Sequence, residues 1–341
     1  MSAEITRPVV AVTNPIHDEV AAILSEHCDL RVNNDRTQPW SHADIVDQAA
    51  QAQALMTFMT DSVDSSLLDR LPHLKIVACA LKGYDSFDVD ACTARNVWVS
   101  IVPDLLTIPT AELAIGLAIG VMRHITAGDA HIRSGTFSGW RPSLYGIGLA
   151  GANIGILGTG RVGQAVAERL SGFGASLLAY DAQPLDARKA RDLGFEQTTS
   201  ERIADASDVI FVCLPLNGGT RHLVDAAYIR RMKPGAFLIN PGRGSVVDEA
   251  AVAEALASGH LAGYAADVFE MEDWSLADRP RKIPSALLAM QDRTLFTPHL
   301  GSAVKDVRVA IEKSAATSIL QALAGERPDC AINNINTRKR A

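Results

Sequence analysis

Five cysteines, none in a Cys-x-x-Cys pair, give the chain neither a disulfide framework nor a zinc cage. Cys79 and Cys213 sit inside apolar runs, where a thiol is an inert core residue. The nine histidines form no His-x-x-x-His pattern, so no metal is expected. Positive charge is not in excess. Lys and Arg number 32 against 39 Asp and Glu, a net charge of −7, which argues against nucleic acid as the main partner. A local basic patch for a small anion remains compatible with that balance. Long apolar runs are missing too: the most apolar helical stretch, residues 114–122, is too short for a bilayer and is flanked by Glu112 and Arg123. The first residues run into Val9-Val10-Ala11-Val12 without the apolar core of a secretion signal, so a cytoplasmic protein without membrane contact is expected.

What is present is 48% apolar and 21% charged residues over 341 positions, enough for about two domains with sizeable cores. Short apolar runs at 9–12, 54–59, 76–81 and 97–102 read as buried strands. Helical patterns lie between them at 19–27, 43–52, 65–70 and 89–95. This alternation predicts α/β domains with parallel sheets. A long helix is expected over 109–126, with Pro109 near its start and Glu112 in its first turn, then a Gly-rich ordered loop over 134–151. A second βα array follows, with strands at 153–158, 177–181, 209–214, 237–240, 263–268 and 295–297. The amphipathic helix at 303–324 is expected to return to the first domain. The domains are then 1–106 with 303–341, and 107–302. Residues 337–341 read as a solvated basic tail.

Gly158-Thr159-Gly160-Arg161-Val162-Gly163 follows one of these strands and opens a helix. Asp181 ends the next strand, 23 residues after Gly158 (181 − 158), close to the spacing of about 20 for a ribose-binding carboxylate. The first two glycines permit a tight turn and close approach of a pyrophosphate to the helix N-terminus, and Gly163 lets helix and sheet pack. A Gly-rich turn with no ligand is the bland alternative, and the strand–turn–helix context with Asp181 weighs against it. Asp181 repels a 2′-phosphate, while Ala182 and Gln183 offer no offsetting cation and Arg188 and Lys189 fall on the next helix. NAD is therefore expected over NADP.

Three further segments end strands: Asn240-Pro241-Gly242-Arg243-Gly244, Asp267-Val268-Phe269-Glu270-Met271-Glu272 and Thr297-Pro298-His299-Leu300-Gly301-Ser302. In a doubly wound sheet such ends face one ligand crevice. Over residues of about 5 to 330 the chain resembles the D-2-hydroxyacid dehydrogenases. That resemblance implies two Rossmann-like or flavodoxin-like domains with an active site in the cleft between them. It implies Arg243 as anion clamp, His299 as acid/base and Glu272, rather than its rival Glu270, as the partner of His299. It also implies that Lys82, Thr110, Leu214, Pro215, Thr220, Pro241, Asp267, His299 and Gly301 line NAD together with the glycine loop and Asp181, and that the protein is a homodimer. The 109–126 helix and the 134–151 loop are its candidate interface.

Within that family, Ala80-Leu81-Lys82-Gly83-Tyr84-Asp85, Val102-Pro103-Asp104-Leu105-Leu106-Thr107 and residues 265–274 and 277–280 resemble the phosphonate dehydrogenases, which oxidise phosphite to phosphate with NAD. The resemblance implies phosphite as partner, bound by Lys82, Gly83, Arg243 and Arg308, with Met59, Trp140 and Tyr145 as walls. Three cations suit a compact tetrahedral oxyanion better than a monocarboxylate. Alone, Arg308 on a helix reads as solvent-facing, Met59 as core, and the two aromatics as packing. Two rivals stand beside phosphite oxidation. One is reduction of glyoxylate, hydroxypyruvate or a similar 2-keto acid. The other is a nucleotide-sensing regulator like the corepressors that share the fold, which the intact Arg, Glu and His set disfavours.

Overall fold

The computed structural model describes residues 7–102 and 104–336. Pro103 of the 102–107 motif and the tail at 337–341 lie outside the described residues. The chain divides into two compact units, Met1–Leu106 with Val304–Ala341, and Thr107–Ala303.

In the first unit five strands, β1 (Val9–Val12), β2 (Asp29–Val32), β3 (Ala54–Thr57), β4 (Ile76–Cys79) and β5 (Trp98–Ser100), form a parallel sheet in the order β2-β1-β3-β4-β5. The central strands β1, β3 and β4 are apolar at every position but Thr57, because helices cover both faces. Val10, Val12, Met56 and Ile76 pack with Ile311, Ala315 and Ile319 of the helix Lys305–Leu323. Ala11, Leu55, Val77 and Val99 point the other way, onto Ile45, Leu67 and Leu68. Each fully buried Val, Leu, Ile or Met among these contributes about 1.5–3 kcal/mol. The apolar runs overshoot the pairing: β3 ends at Thr57 and β4 at Cys79. Phe58, Met59 and Leu81 thus stand beyond the sheet's carboxyl edge, where Lys82 follows.

The second unit holds a seven-stranded parallel sheet: β6 (Asn153–Leu157), β7 (Ser176–Tyr180), β8 (Phe195–Gln197), β9 (Val209–Val212), β10 (Ala236–Asn240), β11 (Leu261–Ala266) and β12 (Thr294–Phe296). Their order is β12-β11-β10-β9-β6-β7-β8, so the direction of winding reverses at β6. Leu157 pairs with Val212, Phe211 with Ile239, Asn240 with Ala266, and Ala266 with Phe296. This register sets Gly158, Cys213, Pro241, Asp267 and Thr297 level along one carboxyl edge.

The pattern that predicts one helix over 109–126 resolves into two. Thr107–Met122 is buried over most of its length against the sheet, with Gly120 so close to Leu295 that a Cβ would sit 2.4 Å from its side chain. His124, at φ +51°, then turns the chain by 63° into Ile125–Arg133, which has no buried residues. Edge strands β2 and β8 escape the apolar pattern because one face or both meet solvent. Among the described residues no single helix is long and apolar enough to cross a membrane. No group of His, Cys, Asp or Glu there has metal-binding geometry.

Candidate active site

The glycine loop is shaped by backbone contact. Gly158 has φ +98°, and a Cβ on it would meet the Cys213 carbonyl oxygen at 2.7 Å. A Cβ on Gly163 would lie 2.0 Å from the Gly158 oxygen, so the helix Arg161–Leu170 packs directly on the turn. Gly160 differs. It caps that helix without any side-chain hydrogen bond, and a Cβ there would meet nothing within 4 Å. The fold therefore does not require glycine at 160, whereas a dinucleotide pyrophosphate over uncapped N–H groups does. Thr159, nearly buried, donates its N–H to Asp181 Oδ2 at 2.7 Å, and Gln183 donates to Oδ1 at 2.9 Å. Loop and carboxylate are thus tied at the ends of β6 and β7. The open cradle, the uncapped helix and the fixed carboxylate fit NAD.

The loop after β9 is held by the Thr220 hydroxyl, which donates to the Pro215 carbonyl at 2.6 Å and accepts the Asn217 N–H at 2.9 Å. Leu214 is buried beneath it. After β10, Asn240 clamps the turn that presents Arg243: its amide donates to the Arg243 carbonyl at 3.0 Å and its oxygen accepts the Gly242 N–H at 3.1 Å. Pro241 is buried within this turn. A Cβ on Gly244 would collide with Phe269 backbone at 1.9 Å, so the Arg243 turn lies hard against the start of the 270–272 turn.

His299 Nδ1 stands 2.7 Å from Glu272 Oε2, and Glu272 Oε1 accepts the Phe269 N–H at 2.9 Å. Both side chains keep roughly a quarter of their surface exposed. Glu270 faces elsewhere, toward His222 and the Glu249 N–H. The structure therefore pairs Glu272, not Glu270, with the histidine. The buried Asp267 carboxylate takes the Thr297 hydroxyl at 2.5 Å and the N–H groups of Leu300 at 2.6 Å and Gly301 at 2.8 Å. Burial pushes its carboxyl above the usual range while these bonds and His299 oppose the shift. Thr110 closes the far side, since a Cβ on Gly301 would lie 3.0 Å from its hydroxyl.

In the first unit, Lys82 is one-third exposed with Nζ 3.6 Å from Asp104, and Gly83 beside it is half-buried. Arg308 is not solvent-facing as a lone helical arginine would be. Its side chain is 18% exposed, lies 5.8 Å over the Phe58 ring and is 3.9 Å from Glu312, and burial lowers its pKa. Met59 is partly buried against the core cluster that includes Leu81. Trp140 and Tyr145, each 76% exposed on the 134–151 loop, do not pack in the core of their unit.

The supporting residues were the ones sequence reasoning missed. Asn240 before a Gly-rich turn is an Asx-turn signal that could have been read. Two others had no such signal: Asp273, which accepts the Ser245 N–H at 2.6 Å, and Arg279, which donates to the Met271 carbonyl at 2.9 Å.

Residues 115–301 match the family described as D-isomer specific 2-hydroxyacid dehydrogenase, NAD binding domain. The chain is 34% identical over 329 residues to a glyoxylate reductase of Thermofilum pendens, covering 96% of this chain and 95% of that one. Among solved structures, the TT0316 protein of Thermus thermophilus superposes with a TM-score of 0.85 at 31% identity, over 95% of this chain and all of the other. An NADPH-dependent glyoxylate/hydroxypyruvate reductase of Sinorhizobium meliloti, in complex with NADP and malonate, gives 0.82 at 30% identity, over 96% and 97%. Where these relatives are named for an activity they are glyoxylate reductases, not the phosphite-oxidising enzymes that the residues around Lys82 suggested. At the level of relatives' names the 2-keto acid reading is the better supported.

Proposed function

The chain belongs to the D-isomer specific 2-hydroxyacid dehydrogenase family, and on that premise we propose that it oxidises phosphite to phosphate with NAD. One observation carries the choice. Besides Arg243, the first unit brings two cations, Lys82 and the largely buried Arg308, to the carboxyl edge of neighbouring strands β3 and β4. Each has one carboxylate nearby, Asp104 for Lys82 and Glu312 for Arg308, and a tetrahedral dianion makes use of three cations where a monocarboxylate uses one.

In this reading the first unit serves the substrate and the second unit NAD. His299 takes a proton from water, the water oxygen bonds to phosphorus, and the P–H bond breaks with its electron pair. NAD, when bound, supplies the hydride acceptor. Glu272 orients the imidazole through Nδ1, leaving Nε2 for proton exchange. Arg243, Lys82 and Arg308 hold the oxyanion and its developing charge. Asp181 favours NAD over NADP by opposing a 2′-phosphate. The exposed Ile125, Ile132, Phe137, Trp140, Leu144 and Tyr145, all on one segment, support a homodimer.

A second reading, reduction of glyoxylate or a similar 2-keto acid, is supported by the names of the relatives and by the same Arg243, Glu272 and His299. One assay separates the two: purified protein with NAD and phosphite, against NADH with glyoxylate and hydroxypyruvate. Matched yields of NADH and phosphate support the proposal. Turnover of the keto acids alone overturns the substrate and keeps the cofactor and the His299–Glu272 pair.

A further inference from the structure

One buried acidic pair has no part in the chemistry above. Glu249 opens the helix Glu249–Ala257 and is 1% exposed; Glu270, at 8%, opens the turn that ends in Glu272. Each backbone N–H donates to the other's carboxyl group, Glu249 N–H to Glu270 Oε1 at 3.0 Å and Glu270 N–H to Glu249 Oε1 at 2.8 Å. Glu270 Oε2 meets His222 Nε2 at 2.9 Å, in the loop after β9, where His222 holds φ +48°. Glu249 Oε2 is buried with no hydrogen-bond partner among the described residues. The groups facing Glu249 are Glu270, Glu272 and Asp273 from the turn and the Tyr264 phenol from β11. No cation is among these. Arg279, the first basic residue after that turn, is engaged with the Met271 and Leu276 carbonyls and the Trp274 ring.

We propose that Glu249 and Glu270 form a one-proton clasp that positions the turn carrying Glu272, closed while Glu249 is protonated and loosened when both carboxyls are charged. Two carboxylates in so dry a place cannot both ionise cheaply. The Glu270 oxygens meet an imidazole and a backbone N–H, whereas Glu249 Oε2 has no hydrogen-bond partner among the described residues. Glu249 holds the proton, and burial pushes it up to about 7, with the nearby acidic groups adding to the shift. Glu270 lies two residues before Glu272, and the Arg243 turn leans on the same backbone at Phe269. Repulsion at the clasp is therefore passed to the His299 pair and the Arg243 turn. Glu249 touches no reacting atom; it is a positioning residue. The proposal rests on the dehydrogenase chemistry of the family and not on the choice of substrate.

The test is Glu249→Gln, which keeps an acceptor oxygen and fixes the neutral state. The first readout needs no substrate. With a folded pKa near 7 against 4.5 unfolded, the native state holds the extra proton between those values. Wild-type stability must then fall as pH rises from about 4.5 through about 7 and level off above. The Gln variant is expected to lose that part of the fall in a series of Tm against pH; superimposable curves overturn the clasp. The second readout is the pH profile of kcat/KM with whichever of phosphite or glyoxylate is turned over. The wild-type decline above about pH 7 should be blunted in Glu249→Gln and kept in Glu249→Asp. Parallel profiles despite altered Tm curves overturn the positioning role. If Glu249→Gln does not fold, infrared spectra of an Asp61→Asn protein decide. A buried protonated carboxyl present at about pH 6 and gone by about pH 8 is expected, and its absence overturns the proposal. Silence of both substrates defeats the proposed function while the Tm series still judges the clasp.

Discussion

His299 holds its Nδ1 2.7 Å from Glu272 Oε2 while its own backbone sits at φ +57°, a left-handed conformation that costs an L-residue about 1–2 kcal/mol. The strain is held by Asp267, which accepts the N–H groups of Leu300 and Gly301 and the Thr297 hydroxyl. The imidazole's place is thus set from two sides, by a carboxylate under its backbone and a carboxylate at its ring.

Because the pair acts as a unit, its losses should not add. His299→Ala is expected to lower kcat by roughly 10²–10⁴-fold and Glu272→Gln by about 10²-fold, with NADH still binding in both. The double variant should be little worse than His299→Ala alone. Steady-state rates and NADH fluorescence titrations check this; fully additive losses would show that Glu272 acts independently of the histidine.

Two glycines of the nucleotide loop separate fold from cofactor. A Cβ at 163 would sit 2.0 Å from the Gly158 oxygen, so Gly163→Ala should lower Tm and NADH affinity together. A Cβ at 160 meets nothing within 4 Å, so Gly160→Ala should leave Tm within about 1 °C and still weaken NADH by roughly tenfold or more. Unchanged NADH affinity in Gly160→Ala would mean that the pyrophosphate lies elsewhere.

The parts legible in the sequence were those built from periodic apolar runs and fixed spacings. Both sheets apart from the edge strands β2 and β8, Gly158 to Gly163, Asp181 and the three strand-end segments all carry their signal locally. The choice of Glu272 over Glu270 came only through a family motif, because two acidic residues two apart in a short turn look alike until packing sends one to His299 and the other to His222. The break at His124 was invisible because helical propensity runs on through it and a single left-handed residue makes the bend. Arg308, read alone as solvent-facing and placed at the anion site only by resemblance, was illegible for a related reason: the Phe58 ring it lies over is 250 residues away in sequence (308 − 58).

Lys82 and Arg308 discriminate the substrate readings. A charge-assisted hydrogen bond contributes about 1.5–3 kcal/mol, so Lys82→Ala should raise the KM for phosphite by roughly 10–150-fold. Arg308→Ala should do the same and also lower Tm, through its lost packing on Phe58. A keto acid held mainly by Arg243 should lose far less in Lys82→Ala. Equal losses for phosphite and glyoxylate would remove the argument from three cations.

Asp61 gives the first unit a pH dependence of its own. It is 2% exposed, it accepts the Phe58 N–H at 2.7 Å and the Thr13 hydroxyl, and burial raises its pKa from 3.8 to about 6. The folded state therefore holds a proton that the unfolded chain releases between those values. Asp61's own contribution to stability is greatest below about pH 3.8, declines through about pH 6 and is constant above, changing by at most about 3 kcal/mol. Asp61→Asn removes the charge and keeps an acceptor. It should stabilise the protein by about 1–2 kcal/mol at pH 8 and by nothing at pH 4, as read by urea unfolding at the two values. Because Asp61 anchors the backbone of Phe58, on whose ring Arg308 rests, a modest rise in phosphite KM should accompany any shift of that turn. Equal destabilisation at both pH values would show that the hydrogen bonds accepted by the carboxylate outweigh the cost of burying it.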